Sequence, residues 1–232
     1  MPAGTTLSRR HIAAATIGNA LDVYDFIIYA TFSIQIGHAF FAAKDPTVSL
    51  ILSLLLFGAG FLIRPLGGWI IGRYSDRIGR RAAMTLTLYV SGAAVVALAL
   101  IPSYAQIGIW ATVLAAAVRL VQGFALGGET GTAAAYLLEA SAPEHRGLSV
   151  SWQGASTGIA GAIGAGVGAL MAHYLSPADF DTYGWRAAFL LGGLAVPFGI
   201  YLRSTLPETL DRPEEKTAVA EKPPLQTLIT DH

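Results

Sequence analysis

Two clusters of polar residues lie inside long apolar runs, where ionisable groups are rare. Asn19, Asp22, Asp25 and Tyr29 recur at near-helical spacing, and so do Arg119, Gln122 and Glu129. At 3.6 residues per turn each set falls within one stripe of a helix. A charge at mid-bilayer costs about 2.5–3.5 kcal/mol on insertion scales, so such residues face a cavity or a partner. Asp22 lies about 16 Å along the helix from His11, and Arg119 about 20 Å from Gln106, taking 1.5 Å per residue. Both depths are near a bilayer midplane. Two chemistries are open. Asp25 or Asp22 could pair with Arg119 as a neutral structural clamp. Alternatively the carboxylates carry a proton: desolvation makes a carboxylate hold its proton more tightly, and a nearby guanidinium reverses this. A movement or a cargo that draws the guanidinium away then makes the acid take up a proton. Arg119 also suits a carboxylate ligand, which a planar guanidinium binds bidentately. Arg64 lies nearer one end of its span. Snorkelling to the interface, or packing against Asp76 or a helix end, is its expected role.

The elements that position these groups are membrane spans. Of 232 residues, 53% are hydrophobic and 13% charged, against about 25% charged in a soluble domain. Several runs reach the roughly 20 apolar residues that cross a bilayer. Six spans are predicted: His11 to Phe41, Val48 to Ile71, Ala82 to Ile101, Gln106 to Ala140, Gly147 to Leu175, and Gly184 to Leu206. The predicted domains are a 1–10 tail, an 11–206 six-helix bundle, and a 207–232 polar segment. Lys44-Asp45-Pro46, Pro102-Ser103 and the stretch Ser176 to Tyr183 read as turns or loops on one side. Ile71 to Arg81 and Ala142 to Arg146 read as loops on the other.

Charge orients the bundle. Arg9, Arg10, Arg73, Arg77, Arg80, Arg81, Arg146, Arg203, Arg212, Lys216 and Lys222 all fall on one side, with Lys44 and Arg186 opposite. Loops rich in Arg and Lys stay cytoplasmic, so both termini are expected there.

Other classes are excluded or weakened. Zero net charge leaves no nucleic-acid footprint, and without cysteine there is no disulfide or thiolate site. The five histidines have no metal-ligand spacing, so neither a metal nor a cofactor is expected. Gly154-Ala-Ser156-Thr-Gly158 mimics a hydrolase elbow, and Gly164-Ala-Gly166-Val-Gly168 a dinucleotide fingerprint. Each lacks the strand its chemistry needs. An intramembrane enzyme would also need a nucleophile–base pair, so no catalytic residue is assigned. Gly154, Gly158, Gly161, Ala165 and Gly168 make a small-residue face on the fifth span, expected to admit another helix closely.

Gly72-x-x-x-Asp76-Arg77-x-Gly79-Arg80-Arg81 resembles the loop between helices two and three of the major facilitator superfamily of secondary transporters. Gly18-Asn19-Ala-Leu-Asp22-x-x-Asp25-Phe26-x-x-Tyr29 and Arg119-Leu-Val-Gln122-Gly123-Phe-Ala-Leu-Gly127-Gly128-Glu129 resemble its metabolite:proton symporter branch. So do Arg64-Pro65-Leu-Gly67-Gly68 and Glu139-x6-Arg146-Gly147. That branch usually has Glu where Asp22 stands, and Gly where Ala30 stands. The resemblance spans about residues 11–210. It implies an all-α fold built from inverted three-helix repeats, 3+3 in each half of the full transporter. It implies that Arg119 takes part in proton or substrate handling. It also implies that Asp76, its surrounding arginines, Glu139 and Arg146 form a cytoplasmic charge network that latches the outward-facing state. The expected activity is proton-coupled symport of a small organic acid or zwitterion across the cell (inner) membrane.

Six spans are half the superfamily's usual count. The chain is expected to be the N-terminal half and the start of a central loop, completed by a C-terminal six-helix half or by self-association. The alternative is a non-transporting truncated or split half acting as a membrane partner subunit.

Overall fold

The computed structural model describes residues 9–42 and 45–209. Lys44, Arg212, Lys216 and Lys222, the tail before Arg9 and the segment after Thr209 lie outside the described residues, as does the Arg9 side chain. Among the described residues all regular structure is helical. The main elements are α1 (Arg9–Thr31), α2 (Ser33–Phe40), α3 (Pro46–Ile78), α4 (Arg80–Leu100), α5 (Tyr104–Ile107), α6 (Ile109–Ala140), α7 (Arg146–Tyr174), α8 (Pro177–Asp179) and α9 (Trp185–Ser204). Among the described residues, six helices are long and apolar enough to cross a membrane. Their outer faces are apolar; Leu62, for example, is 83% exposed.

Helix packing obeys an exchange rule. Take α1, α3 and α4 as one triplet and α6, α7 and α9 as the other. α3 packs on α6, and reciprocally α1 packs on α7. α4 packs on α6 and α9 on α1, while α4 meets α9 and α1 meets α6. That reciprocity is what a 3+3 inverted repeat requires. It brings the first helix of each triplet, α1 and α6, together at the centre.

The α3–α6 seam is closed by glycine. A Cβ on Gly123 would lie 2.0 Å from the Gly60 carbonyl oxygen, and one on Gly127 2.1 Å from that of Arg64. On the facing helix, a Cβ on Gly67 would lie 2.0 Å from the Phe124 carbonyl oxygen. Without a hydrophobic drive between helices in lipid, such close backbone contact is what holds them.

Several boundaries differ from the sequence expectation. The predicted first span breaks at Phe32, whose backbone (φ −106°, ψ 21°) separates α1 from α2. Hydrogen bonds from Phe32 N to Ile28 O and from Ile36 N to Phe32 O carry the chain across the break. Ile71 to Arg81 is not a loop. α3 has 33 residues, about 50 Å of helix, so it outruns a hydrocarbon core of about 30 Å and continues through Gly72 to Ile78. Only Gly79, at φ 130°, turns the chain. The predicted fourth span starts late, because Gly108 at φ 60° separates α5 from α6. Ser176 to Tyr183, expected as a loop, is helical through α8 and a π-helical turn at Phe180–Gly184. Most of the small-residue face of α7 does not serve intrachain packing. A Cβ on Gly154, Gly158 or Gly161 would meet nothing within 4 Å, while Gly168 alone of that face is buried, against Thr31; the other buried positions are Ser149, Ser156, Ala160 and Gly164.

Asp45 starts α3, its carboxylate accepting from Thr47 N at 2.7 Å and more weakly from Val48 N at 3.4 Å. These amides hold the Asp45 carboxyl below its ordinary range. A depressed acid stabilises above its unfolded pKa and loses that contribution as pH falls through the folded value. The protection factors of the Thr47 and Val48 amides, taken relative to intrinsic exchange at each pH, are therefore expected to fall as pH drops through the carboxylate range, and Asp45→Ala to abolish that dependence. In the α3–α6 seam, Gly123→Leu is expected to destabilise the bundle by more than the 1–3 kcal/mol or so typical of overpacking, because backbone is struck. Gly131→Ala, facing open space, is expected to leave thermal stability in detergent unchanged or raised.

Candidate functional site

α1 and α6 cross at their polar stripes. Arg119 Nη1 donates to Asp25 Oδ2 at 2.9 Å and to Gln122 Oε1 at 2.5 Å, and Gln122 Nε2 donates to the same Asp25 oxygen at 2.9 Å. Arg119 is 3% exposed and Asp25 1%. The guanidinium lies 4.0 Å from the Tyr29 ring centroid, and the Phe57 and Phe189 rings stand close by. Tyr29 is anchored by its hydroxyl, which donates to Ser53 O at 2.9 Å. Each ion is only half used: Asp25 Oδ1 and Arg119 Nε and Nη2 are buried without a hydrogen-bond partner among the described residues. In a low-dielectric interior such free donors are costly alone and bind a matching anion strongly.

A recess opens beside the pair, lined by Phe26, Phe57, Phe61, Arg64, Arg119 and Gln122 among others. Sequence predicted that Arg64 packs against Asp76 or a helix end; it does neither. Its guanidinium stacks over Phe61 at 4.0 Å and Phe26 at 4.9 Å, with Nε unpartnered. The aromatic faces hold it along the recess wall.

The polar stripe of α6 splits between two partners. Glu129 is not part of the Arg119 cluster; it pairs with Arg203 of α9. Arg203 was expected only as one of the cytoplasmic-side basic residues, at the end of the sixth span; it is 0% exposed and also donates to the carbonyls of Met84 and Ala14. Sequence offered one faint signal for this, an arginine next to an apolar span. Gly18 makes room: a Cβ there would overlap Glu129 Oε1 and Arg203 Nη2. Asp22 does not pair with Arg119. It is 8% exposed, with no hydrogen bond or ion pair among the described residues. Asn19 clamps α1 to α7, donating to Gln153 O, Ser156 Oγ and Thr157 Oγ1 at 2.9–3.1 Å.

A second charge cluster forms around the Gly79 turn. Arg80 bonds Asp76 at 2.5 Å, Ser75 at 3.1 Å and Glu139 at 3.0 Å, tying α3, α4 and α6. Arg77 and Arg146 are exposed and form no ion pair among the described residues, so the implied network is narrower than the motif. Arg81 donates instead to Leu206 O at 3.2 Å. Sequence reasoning missed Glu208 and Thr209. The chain after α9 folds back so that Glu208 accepts from Arg80 N at 2.8 Å, capping α4, and Thr209 donates to Glu139 at 2.8 Å. Gly79 permits this, since a Cβ there would lie 2.2 Å from Glu208. Gly72 is helical and has open space around it.

A bundle of paired three-helix repeats with an ion pair at its centre is the architecture of a secondary transporter. A family model for the Major Facilitator Superfamily matches residues 13–231, and the chain belongs to that family. It is 37% identical over 220 residues to a citrate-proton symporter of Klebsiella pneumoniae, covering 95% of this chain and 50% of that protein. It is 38% identical over 204 residues to a proline/betaine transporter of Salmonella typhimurium, covering 87% and 40%. An alpha-ketoglutarate permease of Escherichia coli is 34% identical over 198 residues, covering 85% and 46%. These names match the metabolite:proton symporter branch. The chain spans about half the length of these relatives. The xylose transporter XylE from E. coli, in a partially occluded inward open conformation, superposes with a TM-score of 0.77 at 19% identity, covering 86% of this chain and 48% of that one. That likeness shows the fold.

The Glu129–Arg203 pair is open to a double-mutant cycle. Arg203→Met leaves Glu129 buried and unpaired, at an expected cost of about 3–5 kcal/mol. Glu129→Met/Arg203→Met is expected to recover most of that loss in thermal unfolding.

Proposed function

We propose that this chain is one half of a proton-coupled symporter of a small organic acid or zwitterion, working by alternating access. The observation that supports it best is the half-satisfied Asp25–Arg119–Gln122 cluster beside an aromatic recess that also holds Arg64. An incoming carboxylate fits the free Nε and Nη2 of Arg119 bidentately. Drawing the guanidinium towards cargo weakens its hold on Asp25, which then takes up a proton. Cargo and proton are thereby coupled through one arginine. The relatives named for citrate, proline and betaine agree with an anionic or zwitterionic cargo.

In this reading the Gly79 end is cytoplasmic, both termini lie there, and the membrane is the bacterial inner membrane. The Asp76–Arg80–Glu139 cluster, with Glu208 and Thr209, is the gate on that side. The exposed small-residue face of α7 and the coverage of half of each relative favour completion by a C-terminal six-helix half or by a second copy. They also favour the alternative, a non-transporting half acting as a membrane partner subunit. Co-expression with a candidate second half, scored by uptake of labelled citrate, 2-oxoglutarate, proline and betaine with and without a proton gradient, separates the two. In the assembled transporter Asp25→Asn is expected to abolish proton-driven accumulation while exchange persists. Undiminished uphill uptake by that variant refutes the coupling role.

A further inference from the structure

Two distinct cavities meet at the Asp25–Arg119 pair. The recess already described is walled by α1, α3 and α6. The second is walled by α1, α4 and α9, through Asp22, Asp25, Ser91, Gly92, Gly192 and Val196 among others. Arg119 lines the first and not the second; Asp25 lines the second while its Oδ2 bonds Arg119. The second cavity is about 10 Å³, near the minimum that holds one water.

Asp22 is the carboxyl of that second cavity, more than nine-tenths buried, with no hydrogen bond or ion pair to any described residue. The charged groups whose fields reach it are Glu129 of α6, Asp25 of its own helix, Arg203 of α9 and Arg64 of α3. Both cations are committed elsewhere: Arg203 to Glu129 and two backbone carbonyls, and Arg64 to the rings of Phe26 and Phe61. α4 contributes Ser91, which is 3% exposed. The Asp22 oxygens are unpartnered but not sealed off, and the residue lines the cavity, which a packing role alone does not explain.

We propose that the α1–α4–α9 cavity is a proton-holding site whose carboxyl is Asp22, and that protons reach Asp25 from this side, apart from the cargo recess. The inference rests on the symporter reading. The step balances. The Asp22 carboxyl gives its proton to a bridging water, which passes one to the unpartnered Oδ1 of Asp25. Asp22 ends as carboxylate and Asp25 as carboxylic acid. Cargo then competes only for Arg119, and protons can move while the recess is filled.

Infrared difference spectroscopy of the chain in lipid nanodiscs, stepped in pH and in D₂O, tests this without requiring transport. The wild type is expected to show a reversible protonated-carboxyl C=O band. Asp22→Asn removes it, Asp22→Glu restores one at a shifted frequency, and Ser91→Val slows its deuterium exchange severalfold. Circular dichroism checks that each variant keeps its helix content. A band that persists in full in Asp22→Asn overturns the proposal, as does one that Asp22→Glu fails to restore in a folded protein or whose exchange Ser91→Val leaves unchanged. If the assembled wild type moves no cargo, the symporter reading fails, and the infrared result still decides the role of Asp22.

Discussion

Everything central to this bundle follows from keeping ions inside a hydrocarbon slab. Asp25, Arg119, Glu129 and Arg203 are each at most 3% exposed, and such burial is tolerated only when charges are paired and hydrogen-bonded. The two pairs solve this differently. Arg203 is tied to Glu129 and to backbone of α1 and α4, so four helices converge on one guanidinium. Arg119 is held at one edge only, with its other donors free. The first arrangement is a structural lock; the second leaves capacity for a ligand.

Glycine provides the geometry that brings these ions together. Along α3–α6, Gly60, Gly67, Gly123 and Gly127 let backbones touch, which sets the depth at which Arg119 and Arg64 face the recess. Gly18 performs the analogous service on α1, where any side chain would displace the Glu129–Arg203 pair. Gly79 combines a positive φ with contact to Glu208, so the motif that looks like a loop is a helix end capped by a distant carboxylate.

The reciprocal packing of the two triplets explains why the acids and the arginine meet at all. α1 and α6 are equivalent elements and cross at the centre, so Asp25 of one stripe meets Arg119 and Gln122 of the other. The same symmetry sends α4 and α9 together behind α1, creating the compartment that holds Asp22. The recess beside Arg119 and the compartment around Asp22 therefore have separate walls on the two sides of α1.

Composition and hydropathy alone determined the all-helical, six-span class, because a bilayer imposes length and apolarity residue by residue. The polar stripes of Asp22, Asp25, Arg119 and Gln122 were legible for the same reason, as was the basic motif around Asp76. Partner choice was not. That Asp25 rather than Asp22 takes Arg119, that Glu129 belongs to Arg203, and that Arg64 lies on Phe26 and Phe61 depend on rotation and crossing of helices distant in sequence. Helix ends were misjudged where a span outruns the membrane, as in α3, or where one glycine sets the boundary, as Gly108 does. Glu208 and Thr209 carried no periodic or motif signal, since their roles arise only when the chain folds back onto the Gly79 turn. Local chemistry fixes which residues must avoid lipid; tertiary packing decides which of them share a charge.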